Sequence, residues 1–208
     1  MGKGVETRER LLDIAETAIL QKGFGGTSIE ELIAEVGITK SGFFYHFRDK
    51  NQLAHTLLQR HLERDEAILN NIFGRARDLT DDPLHTLLVG LKLMAEMMAD
   101  LPDGHPGCLV TTYCYNERLF DQELRNLNRQ GVEAWRIRFR GMIDDINARY
   151  PPREDIDPDQ LADMVSTVIE GGIVISKVLR DPALLPQQIL LLRSYIRLLY
   201  SPGREFDS

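Results

Sequence analysis

Apolar residues return every three or four positions along almost the whole chain, and no stretch keeps the strict alternation of a half-buried strand. That pattern predicts an all-α fold. A first helix is expected from a cap at Thr7 to Lys22, with Leu11, Ala15 and Ile19 on one face and Gly23, Gly25 and Gly26 stopping it. A second opens on Ser28, with Glu31 at capping-box spacing, buries Ile29, Leu32, Ile33 and Val36, and ends at Gly37. Thr39 caps a third, short helix, and Asp49 a long fourth one reaching about residue 73, just short of Gly74. Longer helices follow over 83–100, 107–116, 121–149, 158–179 and 186–200, with prolines at nearly every junction.

Two short helices joined through Gly37 and Ile38, with a preceding helix to pack against, have the layout of a helix-turn-helix. Such a unit needs a tight turn, an apolar plug after it and a slim polar edge on the second helix. Gly37, Ile38 and the run Thr39, Lys40, Ser41, Gly42 supply them. A helix enters the major groove only if its leading edge is low, which Ser41 and Gly42 allow; Lys40 can donate to guanine or phosphate, and Ser41 to either kind of base edge. Tyr45 and His46 carry donors at phosphate reach, and Ser28, Thr39 and Lys50 are expected to hold the DNA backbone around them. Phe43, Phe44 and Phe47 are expected to face inward as core.

Composition narrows this. The 208 residues are 43% hydrophobic and 27% charged, enough for a buried core in one or two domains. A formal net charge of -7 argues against a protein that coats nucleic acid over its whole surface. Lys40, Arg48 and Lys50 against Asp49 nevertheless leave a local excess of two positive charges around the third helix. No apolar run approaches the roughly 20 residues of a membrane span, and the polar start lacks a secretory stretch, so a cytoplasmic protein without membrane association is expected. Neither a metal site nor a cofactor is expected: His55 and His61 lie six apart, and no phosphate loop, zinc motif, nucleophile elbow or nucleotide fingerprint marks an enzyme.

Residues 7–58 resemble the DNA-binding domain of the TetR family of transcriptional regulators. The resemblance rests on Gly23-Phe24, Thr27-Ser28, Ile29, Gly37-Ile38-Thr39-Lys40, Phe44-Tyr45-His46-Phe47, Asp49-Lys50 and Leu53. It implies a DNA-binding domain over 1–50 and a regulatory and dimerisation domain over 51–208, linked by the helix from about 49 to 73. It implies that the third helix reads the major groove and that Lys50 contacts phosphate. The expected function is repression at a near-palindromic operator, relieved when a small molecule bound among the middle helices lets the fourth helix swing the reading heads out of register. Phe44 stands where the family often has a phosphate-contacting tyrosine, and Ile33 where it usually has a small residue.

In the second half, Met94, Met97, Met98, Cys108, Tyr115, Trp135, Phe139 and Met142 either line an adaptable ligand pocket or form plain core. Cys108 and Cys114, roughly 240° apart on a helix, are unsuited to bridging within it and read as packing residues or as a thiol sensor of oxidants or electrophiles. Val165, Val168, Gly172 and Ile175, with Leu192, Ile196 and Leu199, follow steps of three and four on the last two helices. A second apolar face on the same helices, Met164, Ile169, Val174, Leu191, Tyr195 and Leu198, exceeds what one core needs and predicts a homodimer through a four-helix bundle. The first set is expected at that interface, with Gly171 and Gly172 allowing close approach. A helical adaptor that docks another protein on these faces is the alternative from a different class.

Overall fold

The computed structural model describes residues 2–200, so Met1 and the last eight residues of the expected regulatory domain lie outside it. Nine α-helices and one 3-10 turn (Glu117–Leu119) occur among the described residues, and no strand. They are α1 (Lys3–Lys22), α2 (Ile29–Val36), α3 (Lys40–His46), α4 (Lys50–Leu79), α5 (Pro83–Ala99), α6 (Leu109–Cys114), α7 (Gln122–Asn147), α8 (Pro158–Leu179) and α9 (Leu184–Tyr200).

Several ends differ from expectation for local reasons. Helix α1 begins four residues before Thr7, capped by the extended Gly2, because nothing in Val5 to Glu9 breaks a helix. Helix α4 runs through Gly74: a helical glycine costs about 1 kcal/mol against alanine, and the flanking Phe73 and Ala76 are buried core. Pro186 falls in the first turn of α9 rather than at its start, where its missing N–H had no helical acceptor anyway. Asp82 and Asp121 cap α5 and α7, accepting from the backbone N–H of His85 and Leu124 at 2.8 and 2.9 Å.

Packing divides the chain into two compact units. The first holds the chain to Asp65 together with Gly107–Gly131; the second holds Glu66–Pro106 and the residues from Val132 onward. This differs from a boundary at residue 50. The three-helix core of α1 to α3 needs Leu53, Ala54, Leu57 and Leu58 of α4 to close it, and Leu109, Tyr113, Phe120 and Leu124 complete the same cluster. The Phe24 ring lies 4.6 Å from Phe120 and 6.2 Å from Tyr113, and the Tyr113 hydroxyl donates to the Ala54 carbonyl at 3.1 Å. Each fully buried Leu or Phe of this cluster contributes about 1.5–3 kcal/mol. In the second unit, α9 packs on α5 and α8, and Phe139 meets Phe73 edge-on at 5.7 Å.

Candidate nucleic-acid interface

The turn between α2 and α3 is built from local rules. The Ser28 hydroxyl accepts the Glu31 N–H at 3.2 Å and starts α2. Gly37 ends it at φ 75° and ψ 37°, a left-handed conformation that a β-carbon would strain. The N–H groups of Gly37 and Ile38 both donate to the Ile33 carbonyl, at 3.0 and 3.1 Å, closing the turn. Ile38 is half-buried as the plug, and Ile33 packs against the core despite its size. Thr39 then accepts the Gly42 N–H at 3.1 Å and starts α3. A β-carbon on Gly42 would sit 3.4 Å from the Ile38 β-carbon, an ordinary contact, so the plug packs directly against this turn of α3.

Helix α3 buries one edge and leaves the other in solvent. Phe43 and Phe47 are fully buried, four residues apart. Phe44 is not, which corrects the expectation of three inward rings. It is 45% exposed, with its ring set edge-on to Phe43 at 5.3 Å. A step of one residue turns about 100° around a helix, so Phe44 shares its face with Lys40 and Ser41, one turn earlier. Tyr45, 82% exposed, extends that face, and His46 is half-buried with its ring 5.0 Å from the tyrosine. Lys40, Ser41, Phe44 and Tyr45 are thus brought together as one outward surface, flanked by the caps Ser28 and Thr39.

The two lysines differ. Lys40 is exposed and pairs with Glu30 at 3.4 Å, a solvated contact of little worth that phosphate can replace. The Glu30 carboxyl sits below its ordinary range, first through its own backbone N–H and then through Lys40. Lys50 instead folds inward: its ammonium donates to the Phe24 carbonyl and lies 4.0 Å from the centre of the Phe24 ring. Burial holds its pKa below the ordinary lysine value. Arg48 is an exposed cation beside α3 that sequence reasoning counted in the charge balance but left out of the interface; its Nε donates to Asp49 at 2.9 Å.

Comparison with known proteins agrees with this geometry. Residues 11–57 match the model of bacterial regulatory proteins of the tetR family. Through this domain the chain belongs to the TetR family. Among relatives, the repressor DhaR of Mycobacterium sp. (strain GP1) is 23% identical over 174 residues, covering 84% of each chain. The repressor NemR of Escherichia coli (strain K12) is 38% identical over 77 residues, 35% of this chain and 39% of NemR. A TetR regulator from Chloroflexus aurantiacus J-10-FL superposes with a TM-score of 0.75 at 26% identity, over 94% of this chain and 96% of that one. As a TetR-family protein, the chain is a DNA-binding transcriptional regulator.

Outside the DNA-binding domain of this TetR-family chain, the expected pocket and interface residues scatter. Met94 and Phe139 are buried core of the second unit, with Trp135 half-buried 5.8 Å from the Phe139 ring and Met98 half-buried. Cys108 and Tyr115 belong to the first unit, where Cys108 is buried and Tyr115 is 84% exposed. A hollow of about 280 Å³ in the second unit is lined by Arg77, Thr80, Asp81, Pro83, Thr86, Met142 and Asp145, of which only Met142 belongs to the expected set.

On α8 and α9 the two apolar faces exchange roles in large part, although Ile169 of the second face is buried and Met164 is half-buried. Val165, Gly172, Leu192, Ile196 and Leu199 are buried within the single chain, and Val168 is half-buried. Gly172 is needed inside the fold: its β-carbon would stand 2.8 Å from the Leu185 side chain, while Gly171 faces open space. The solvent-facing apolar surface is Val174, Ile175, Val178 and Leu179 with Leu190, Leu191, Tyr195 and Leu198. Of the first set only Ile175 is exposed. No helix of the described residues is long and apolar enough to cross a membrane.

Proposed function

We propose that this regulator is a repressor that binds a near-palindromic operator as a homodimer and leaves it when a small molecule binds the helical part of the chain. The observation that carries DNA recognition is the slim outward face of α3, which turns the donors of Lys40, Ser41 and Tyr45 to solvent over a buried Phe43–Phe47 base. Relatives named as repressors support the direction of control. Dimerisation is supported by the eight apolar side chains left in solvent on α8 and α9, more than isolated surface residues need. A two-fold dimer presents two copies of α3, which fits half-sites about 34 Å apart.

The test is mobility-shift titration of the full chain on promoter fragments from its own locus, over a salt series and with a panel of small molecules. Sequence-selective, salt-dependent retention is the expected result. Equal retention of unrelated DNA defeats operator recognition, and an affinity unmoved by the whole panel defeats small-molecule release.

A second form of release is favoured by one contact. The Cys108 sulfur lies 3.9 Å from Nε2 of His61, which is itself 3.4 Å from Asp65. A ring nitrogen there can take the thiol proton and leave the thiolate that reacts with electrophiles. Cys114 is exposed. Operator release by iodoacetamide in the wild type and not in Cys108→Ser is the expected result; equal release in both excludes Cys108.

A further inference from the structure

Phe44 is an apolar ring held in solvent among the donors of the reading face. It lies four residues after Lys40 and three after Ser41, so it shares their side of α3, and the Phe43 ring edge-on beneath it limits how far it can fold away. A phenyl ring donates no hydrogen bond, so it cannot serve as the phosphate contact that a tyrosine would make. In duplex DNA the base faces are stacked and closed to it. The apolar group that the major-groove floor offers to a side chain is the C5-methyl of thymine.

We infer that Phe44 is a specificity residue that reads a thymine by packing its ring edge on the C5-methyl group. The inference rests on the proposed operator binding and adds one base to it: each half-site carries a thymine under Phe44, beside the base pair reached by Lys40 or Ser41. Thymine is chosen over the deoxyribose wall because Phe44 lies between the exposed Lys40 and Ser41 around the helix, inside the outward face rather than at its edge. Its reading is independent of hydrogen bonding and of salt.

The experiment starts from a duplex selected by the full-length protein from a random-sequence library. Each thymine in the half-site is replaced in turn by deoxyuridine, which removes the methyl group and nothing else. One position should weaken wild-type binding roughly fourfold, the worth of one small apolar group returned to water. Replacing it in both half-sites should weaken binding roughly fifteenfold if the sites add. Phe44→Ala should bind the thymine and deoxyuridine duplexes equally, and Phe44→Leu should keep part of the difference. A wild-type protein indifferent to every replacement overturns the inference, as does a loss of equal size in Phe44→Ala. Failure to select any duplex overturns operator binding itself, a separate outcome. Should Phe44→Ala bind too weakly to titrate, the wild type and Phe44→Leu on the paired duplexes decide the matter.

Discussion

The outward face of α3 and the outward face of α8 and α9 both leave aromatic or aliphatic carbon in water, yet they are built for different partners. On α3, one phenyl ring stands among a lysine, a serine and a tyrosine, each carrying a donor. On α8 and α9, eight apolar side chains stand together. A partner dense in acceptors, such as a DNA groove, rewards the first arrangement; a second copy of the same surface rewards the other. Exposed hydrophobicity therefore says little about function until the polar groups around it are counted.

The comparison can be broken from the apolar side first. Leu191, 61% exposed, has room for a polar group in the single chain. Leu191→Glu should leave the fold intact and cost association roughly 3–5 kcal/mol per copy, since a two-fold interface buries the unpaired charge twice. Sedimentation would show a monomer, and a persisting dimer would place the interface elsewhere.

Next, Phe43 and Phe44 differ by one position and should differ greatly in stability. Phe43→Ala should cost about 3–5 kcal/mol by urea or thermal unfolding, and Phe44→Ala less than about 1 kcal/mol. Similar losses would mean that Phe44 is core after all.

The two lysines sharpen the same contrast. Lys50→Met removes a charged donor from the Phe24 carbonyl and should lower stability by about 2 kcal/mol. Lys40→Ala should leave stability unchanged and reduce the salt dependence of operator binding by about one counterion if its contact is to phosphate. A reduced salt slope in Lys50→Met instead would return Lys50 to the DNA backbone.

The smallest effect concerns Asp49 at the start of α4. Its carboxylate accepts the Gln52 N–H at 2.8 Å and pairs with Arg48, and its pKa lies below the ordinary value, first through that backbone bond and then through Arg48. A depressed carboxylate adds stability that is present above its unfolded pKa and lost as pH falls through the folded one. Asp49→Ala should cost about 1 kcal/mol at neutral pH and less in acid. A difference that does not shrink below the carboxylate range would show that the charge is not involved.

Much of this was legible from local chemistry. Ser28, Gly37, Thr39 and Asp49 act through bonds to residues within four positions, so spacing alone located the turn and the ends of the two short helices. Position in the reading face was less legible. Phe44 looked like core because it stands between two core rings, and its exposure follows from which side of α3 the core residues of α1 and α4 cover. Nothing near Lys50 in the sequence reveals that the Phe24 carbonyl, 26 residues earlier, lies within its reach.

Periodicity and capping were enough to establish an all-helical chain with a helix-turn-helix near its start, because both depend on neighbours along one helix. Which of two apolar faces on α8 and α9 is core, and the enlistment of 107–131 in the first unit's core, depended on long-range packing. Two stripes of similar hydrophobicity are equivalent until another helix covers one of them. Here α5 and the mutual contact of α8 and α9 claim the face of Val165, Leu192 and Ile196, and the face left over is the one available to a second copy.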